Sequence, residues 1–194
     1  MNEPSFYEHI NSMEMRHAYQ LIYSMRMITE IAEAYDDAVD NNQDLCARSM
    51  LDAFYVHIRL LDDFLVKPTK SPKDFGPFDF GVTWEIPTTD AARRLLDHWE
   101  VASKYVVHFG HPRVPDDVGD LEPFEIGSKF FVAMAKNALT VMEPFINAVE
   151  ELALQENADA ETLSVSRMCA STLRDALNEV CIRVGLAPHE TKEG

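Results

Sequence analysis

Glycine is scarce in this chain. Seven glycines occur in 194 residues, and none falls in 1–75 or 128–184. Glycine costs a helix interior more than any residue except proline, so two long stretches without it point to helices. Cysteine is nearly as rare: Cys46, Cys169 and Cys181 make an odd count that excludes a complete disulfide framework. Each lies in an apolar, helical stretch, so buried free thiols and a reducing compartment are expected. No unbroken apolar run approaches the roughly 18 residues of a spanning helix. The best candidate, 126–146, is interrupted by Lys129, Lys136, Asn137 and Glu143. Residues 1–20 hold no basic start followed by an apolar run, so no signal peptide is expected, and a cytoplasmic protein without membrane contact follows. Motifs for nucleophilic triads, phosphate loops and paired-cysteine zinc sites are all missing.

Positive charge is also short, with 17 basic residues against 33 acidic ones and a net charge of −16. Such a surface repels a phosphate backbone over about a Debye length, so an RNA contact would need a local basic cleft. The excess serves solubility in the simplest reading. In a sharper one it mimics nucleic acid and occupies a nucleic-acid-binding partner.

The composition that remains is globular: 46% apolar residues and 10% aromatic ones, enough for a core without disulfides or metals. The periodicity predicts five helices. The first covers 5–40, with Ser5 as N-cap, Glu8 as capping-box partner and an apolar face of Met15, Tyr19, Ile22, Tyr23, Met27 and Ile31. The second covers 44–66 on Leu51, Phe54, Tyr55, Ile58, Leu61 and Leu65, and Pro68 stops it. An irregular stretch, 67–88, carries four prolines together with Phe75, Phe78, Phe80 and Trp84. Four aromatics do not suit a solvated linker, so this loop is expected to brace the helices. The third helix covers 89–109, capped by Thr89 or Asp90, with Ala92, Leu95, Leu96, Trp99, Ala102, Val106 and Phe109 inward. The fourth covers 121–156 with a kink at Pro144, and the last covers 159–184, ending at Gly185. The fold class expected is all-α, an up-and-down bundle forming one domain over 1–186 with a disordered tail from 187 to 194.

Two polar clusters interrupt the apolar faces. On the second helix stand His57, Arg59, Asp62 and Asp63, with Arg59 and Asp63 spaced to pair along the helix. On the third stand Asp97, Glu100, Lys104 and His108, followed by His111 and Arg113. Each cluster reads either as a solvated polar ladder or as a cationic site in which Lys104 and Arg113 hold a phosphate beside His108, whose ordinary pKa lies near neutrality. Metal chemistry is not expected. Glu14 and His17 have the spacing of a di-iron ligand pair, but no second such pair occurs, and Gly110 and Pro112 break the helix that would align His108 with His111.

At these residues the chain resembles a group of uncharacterised bacterial helical proteins related to the HEPN superfamily. The stretch from His57 to Leu65 is similar to a His-x-Arg-x-Leu-x-Asp-Phe pattern. Ser103-Lys104-Tyr105-Val106-Val107-His108 is similar to Asn-Lys-x-x-x-His, with Arg113 five residues on. The aromatic loop with Trp84 also fits, and the likeness covers about 45–115. It implies a helical bundle that forms a homodimer and acts in prokaryotic defence or stress, with an RNA- or nucleotide-binding cleft and no cofactor. Many such proteins are ribonucleases whose motif is an arginine four to six residues before a histidine. The arginine holds a phosphate and the histidine moves protons. Here His108 carries over, but the arginine is missing: Val101, Ala102 and Ser103 stand in its place. The resemblance therefore implies a degenerate catalytic set of His108, Lys104 and Arg59, with His57, Asp63 and Arg113 binding ligand. Lysine lacks the bidentate fork of arginine, which weighs against ribonuclease activity. The rival reading is a non-enzymatic acidic protein, such as a phage-encoded inhibitor that engages a host defence protein through its surface.

Overall fold

A computed structural model describes residues 12–67, 75–103, 127–154 and 160–188. Helix makes up 82% of these residues, in five α-helices and one short 3-10 turn, and no strand occurs among them. The helices are α1 (Met13–Asp40), α2 (Asp44–Leu65), α3 (Asp90–Ala102), α4 (Ser128–Ala153) and α5 (Ala160–Arg183). None is long and apolar enough to cross a membrane.

Local chemistry fixes most of the ends. The Ser12 hydroxyl accepts a hydrogen bond from the Met15 amide at 3.2 Å, so α1 starts there and not at Ser5, which lies outside the described residues. Asn42 takes a left-handed turn (φ 55°), a conformation its short amide tolerates, and this turns the chain from α1 into α2. Gln43, not Asp44, occupies the N-cap position of α2, and Asp44 instead lies in the first turn, where a carboxylate suits the helix dipole. Thr89 caps α3 as its sequence suggests, accepting from the Ala92 amide at 3.2 Å. Gly185 (φ 71°) closes α5, with Leu186 and Gly185 amides donating back to Cys181 and Ile182 carbonyls in a Schellman arrangement. The start of α4 is capped from a distance. Asp36 of α1 accepts from the Ser128 amide at 3.1 Å and from the Ser128 hydroxyl, and these bonds hold its carboxyl below the usual range. α4 remains one helix through Pro144.

α4 is the packing axis, in contact with each of the other four helices. Its buried residues run from Phe131 through Met134, Ala138, Met142 and Phe145 to Val149. Phe131 stacks on Phe54 of α2 at 4.2 Å and meets Tyr35 of α1 edge-on. The segment 75–88 lies against this core: Phe80 packs on Phe145, and the Trp84 indole donates to the Leu65 carbonyl at 2.8 Å, satisfying an orphan acceptor at the end of α2.

Several expected core positions differ. On α1 Met15, Ile22 and Ile31 face inward as expected, joined by Ala18, Leu21, Met25, Ile28, Ala32 and Tyr35, whereas Tyr19 and Tyr23 are exposed. The alternative stripe reads equally well in sequence because a tyrosine ring suits either side of a helix. On α3 only Ala92 and Leu95 are fully inward. Leu96 is exposed and Trp99 half-buried, as Leu51 of α2 is, because α3 lies at the edge of the bundle. The side chains of Ala102, Val106 and Phe109 lie outside the described residues. Cys169 and Cys181 are buried and outside any disulfide, and burial pushes Cys181 up to about 11, but Cys46 is exposed in the first turn of α2.

Candidate functional site

α1 and α2 pack side by side, and the groove between them opens into a cleft of about 580 Å³. Such a volume falls in the range of roughly 300–1,000 Å³ typical of small-molecule sites. Gln20, Tyr23 and Ser24 of α1 line it from one side, and His57, Arg59 and Asp63 of α2 line it from the other. Phe64 and Phe75 contribute an aromatic wall, their rings 4.9 Å apart. Three of the six residues selected from the sequence thus share one cleft. Lys104, His108 and Arg113 lie outside the described residues, as does His111.

His57 is the best-defined member. Its Nδ1 lies 3.2 Å from the Ser24 hydroxyl, and the Tyr23 ring meets it edge-on at 5.1 Å. Burial lowers its pKa, so the ring is neutral at pH 7 and carries one donor and one acceptor. Arg59 and Asp63 make the expected pair one helical turn apart, Nε to Oδ2 at 3.5 Å. The other Asp63 oxygen accepts from the Trp99 indole of α3 at 2.5 Å. Trp99 in turn carries Lys67 over its ring at 4.1 Å, with the Arg59 guanidinium 5.9 Å from its centroid. Asp63 therefore joins the cleft to the α2–α3 seam.

Asp62, the neighbour of Asp63, points the other way. It is fully buried, and neither carboxylate oxygen has a hydrogen-bond partner among the described residues. Burial, with the Asp63 charge beside it, pushes its carboxyl well above the ordinary range. The Ser103 hydroxyl at the end of α3 is likewise buried without a partner among them. Arg93 and His98, which have the nominal spacing of a ribonuclease motif, diverge: Arg93 pairs with Asp90 and Asp97 in solvent, while His98 leans on Phe130.

Electrostatically the described lining is balanced. Arg59 supplies one positive charge, Asp63 one negative charge, and His57 none. Its chemistry is that of hydrogen-bond donors and acceptors set against aromatic surface. Among the described residues no group of three or more histidine, cysteine or carboxylate side chains is placed to hold a metal. His17, half of the Glu14–His17 pair, packs on Phe75 at 4.2 Å.

Sequence reasoning missed Gln20, Ser24 and the indole of Trp99. Ser24 carried a usable signal, a small polar residue in the middle of an apolar helix. Trp99 carried none, since a tryptophan on an apolar face reads as core. Compared with protein-family models, curated proteins and solved structures, the chain gives no match.

Proposed function

We propose that this protein is a HEPN-like defence or stress protein that holds a nucleotide or a short RNA segment in the α1–α2 cleft, with ribonuclease activity lost or residual. The observation that carries this reading is the meeting of His57, Arg59 and Asp63 in one cleft of ligand size. These are three residues of the very stretch that resembles the family. Arg59 is the ligand-facing cation of the reading, and Asp63 and Trp99 position it. Lys104, His108 and Arg113 are assigned to the same ligand on the sequence resemblance alone. The missing motif arginine argues against efficient cleavage, because the one described cation of the cleft, Arg59, is already paired with Asp63. A homodimer belongs to the same proposal and is checked by light scattering.

Thermal melts with nucleotides and short RNA test the reading. A ligand at about 100 times its Kd adds about 2.7 kcal/mol to stability. The expected result is a clear upward shift in the wild type that Arg59→Ala and His108→Ala abolish. No shift in the wild type, with marked destabilisation of both variants, would show the cluster to be structural. The acidic surface would then become the functional feature, as in a protein that captures a nucleic-acid-binding partner.

A further inference from the structure

We infer that the α1–α2 cleft recognises the heterocyclic base of its ligand and not the phosphate, so that the species it selects is a purine or pyrimidine nucleoside unit. This rests on the nucleotide reading above and narrows it.

Charge comes first. Arg59 is the one cation among the described residues that line the cleft, and it is already paired with Asp63 at 3.5 Å. A phosphate dianion placed there would face the Asp63 carboxylate at close range. His57 does not relieve this, because burial keeps its ring neutral at pH 7. From the described lining residues an anion therefore gains little attraction and meets one repulsive neighbour.

Hydrogen-bonding capacity points the same way. The Gln20 amide offers a donor and an acceptor. The His57–Ser24 pair leaves the second ring nitrogen of His57 without a partner among the described residues. Asp63 accepts and Arg59 donates. Neutral donors and acceptors lying side by side are what the edge of a nucleobase pairs with, and single-stranded nucleic acids are read along those edges. The wall completes the match. Tyr23 is 57% exposed and Leu60 51% exposed at the rim, while Phe75 and Phe64 line the interior. A flat heterocycle would cover this apolar surface, and stacking on aromatic side chains is a main source of base affinity.

The test is isothermal calorimetry on the full chain with nucleosides, their mono- and triphosphates, ribose 5-phosphate and inorganic phosphate. The expected result is binding of at least one nucleoside with a Kd within about 3-fold of its triphosphate, and none of ribose 5-phosphate or inorganic phosphate. Added salt should change that affinity little, since few ions are released. Tyr23→Ala, a change at an exposed side chain that circular dichroism should show folded, is expected to weaken the nucleoside by about 10-fold. Affinity that rises tenfold or more with phosphate number, or binding of inorganic phosphate alone, overturns the base reading and leaves the nucleotide reading standing. Failure of every nucleoside, nucleotide and short RNA to bind removes both.

Discussion

Two places in the bundle bury an ionisable side chain, and they treat it in opposite ways. Between α4 and α5, Arg174 is 3% exposed, and its guanidinium forks onto Glu150 with bonds of 2.8 and 2.7 Å and reaches Asn147 at 2.5 Å. Only its Nη1 lacks a partner among the described residues. On α2, Asp62 is buried as completely, yet neither of its oxygens is bonded among the described residues. A desolvated ion costs several kcal/mol, roughly, unless a partner is brought to it or a proton neutralises it. Arg174 takes the first route: its hydrogen bonds to Glu150 hold the guanidinium charged and join two helices. Asp62 is left with the second. The clamp ties two helices together, while the uncompensated carboxyl is the chain neighbour of Asp63 in the cleft.

The largest effect should come from opening the clamp. Glu150→Ala leaves the Arg174 guanidinium buried without its carboxylate, and a loss of about 3–5 kcal/mol is expected in urea melts at pH 7. A loss below about 1 kcal/mol would show that solvent already reaches the pair.

Asp62→Asn should act in the other direction. The folded-state pKa of Asp62 lies above its ordinary value of 3.8, so the folded protein binds this proton more tightly than the unfolded chain does. The resulting stability is complete below pH 3.8 and falls as pH rises toward the folded-state pKa. The asparagine variant, which does not titrate, should match the wild type in acid and exceed it at pH 7 by about 1 kcal/mol or more, the free energy spent in keeping the wild-type carboxyl protonated there. Parallel stability curves for the two proteins across this range would show that Asp62 finds a partner.

The smallest effect is expected at an exposed pair. Arg26 and Glu179 tie α1 to α5 at 2.6 Å with side chains 46% and 40% exposed. The hydrogen bond from Arg26 lowers the Glu179 pKa, so its contribution is present above pH 4.5 and lost as pH falls below it, opposite in sign to Asp62. Glu179→Gln should cost less than about 1 kcal/mol at pH 7 and nothing in acid, because solvent screens the pair. An equal cost at both pH values would mean that packing, not charge, is lost.

Helix number and most boundaries were legible in the sequence, since they depend on residues that act locally: Thr89 at the start of α3, Gly185 after α5, and the glycine-free runs between. The candidate site was half legible. The Arg59–Asp63 pair follows from helical spacing alone, and the place of His57 beside the apolar face was visible in the same turn. The contact of Ser24 with His57 was not, because it joins positions 33 apart on different helices.

The tertiary structure decided which face of each helix turns inward and what the polar residues on it meet. A 3.6-residue period admits more than one apolar stripe when tyrosine, alanine and methionine are mixed around a helix, as on α1, and only the neighbouring helices select among them. The same selection buries Asp62 while leaving Asp63 at the cleft, though the two are adjacent and chemically identical. It also brings Asp36 to cap α4 from 92 positions away, an arrangement no local pattern encodes. Local sequence sets most helix ends, because most caps are short-range hydrogen bonds. The environment of each side chain is set by packing, which depends on every other helix at once.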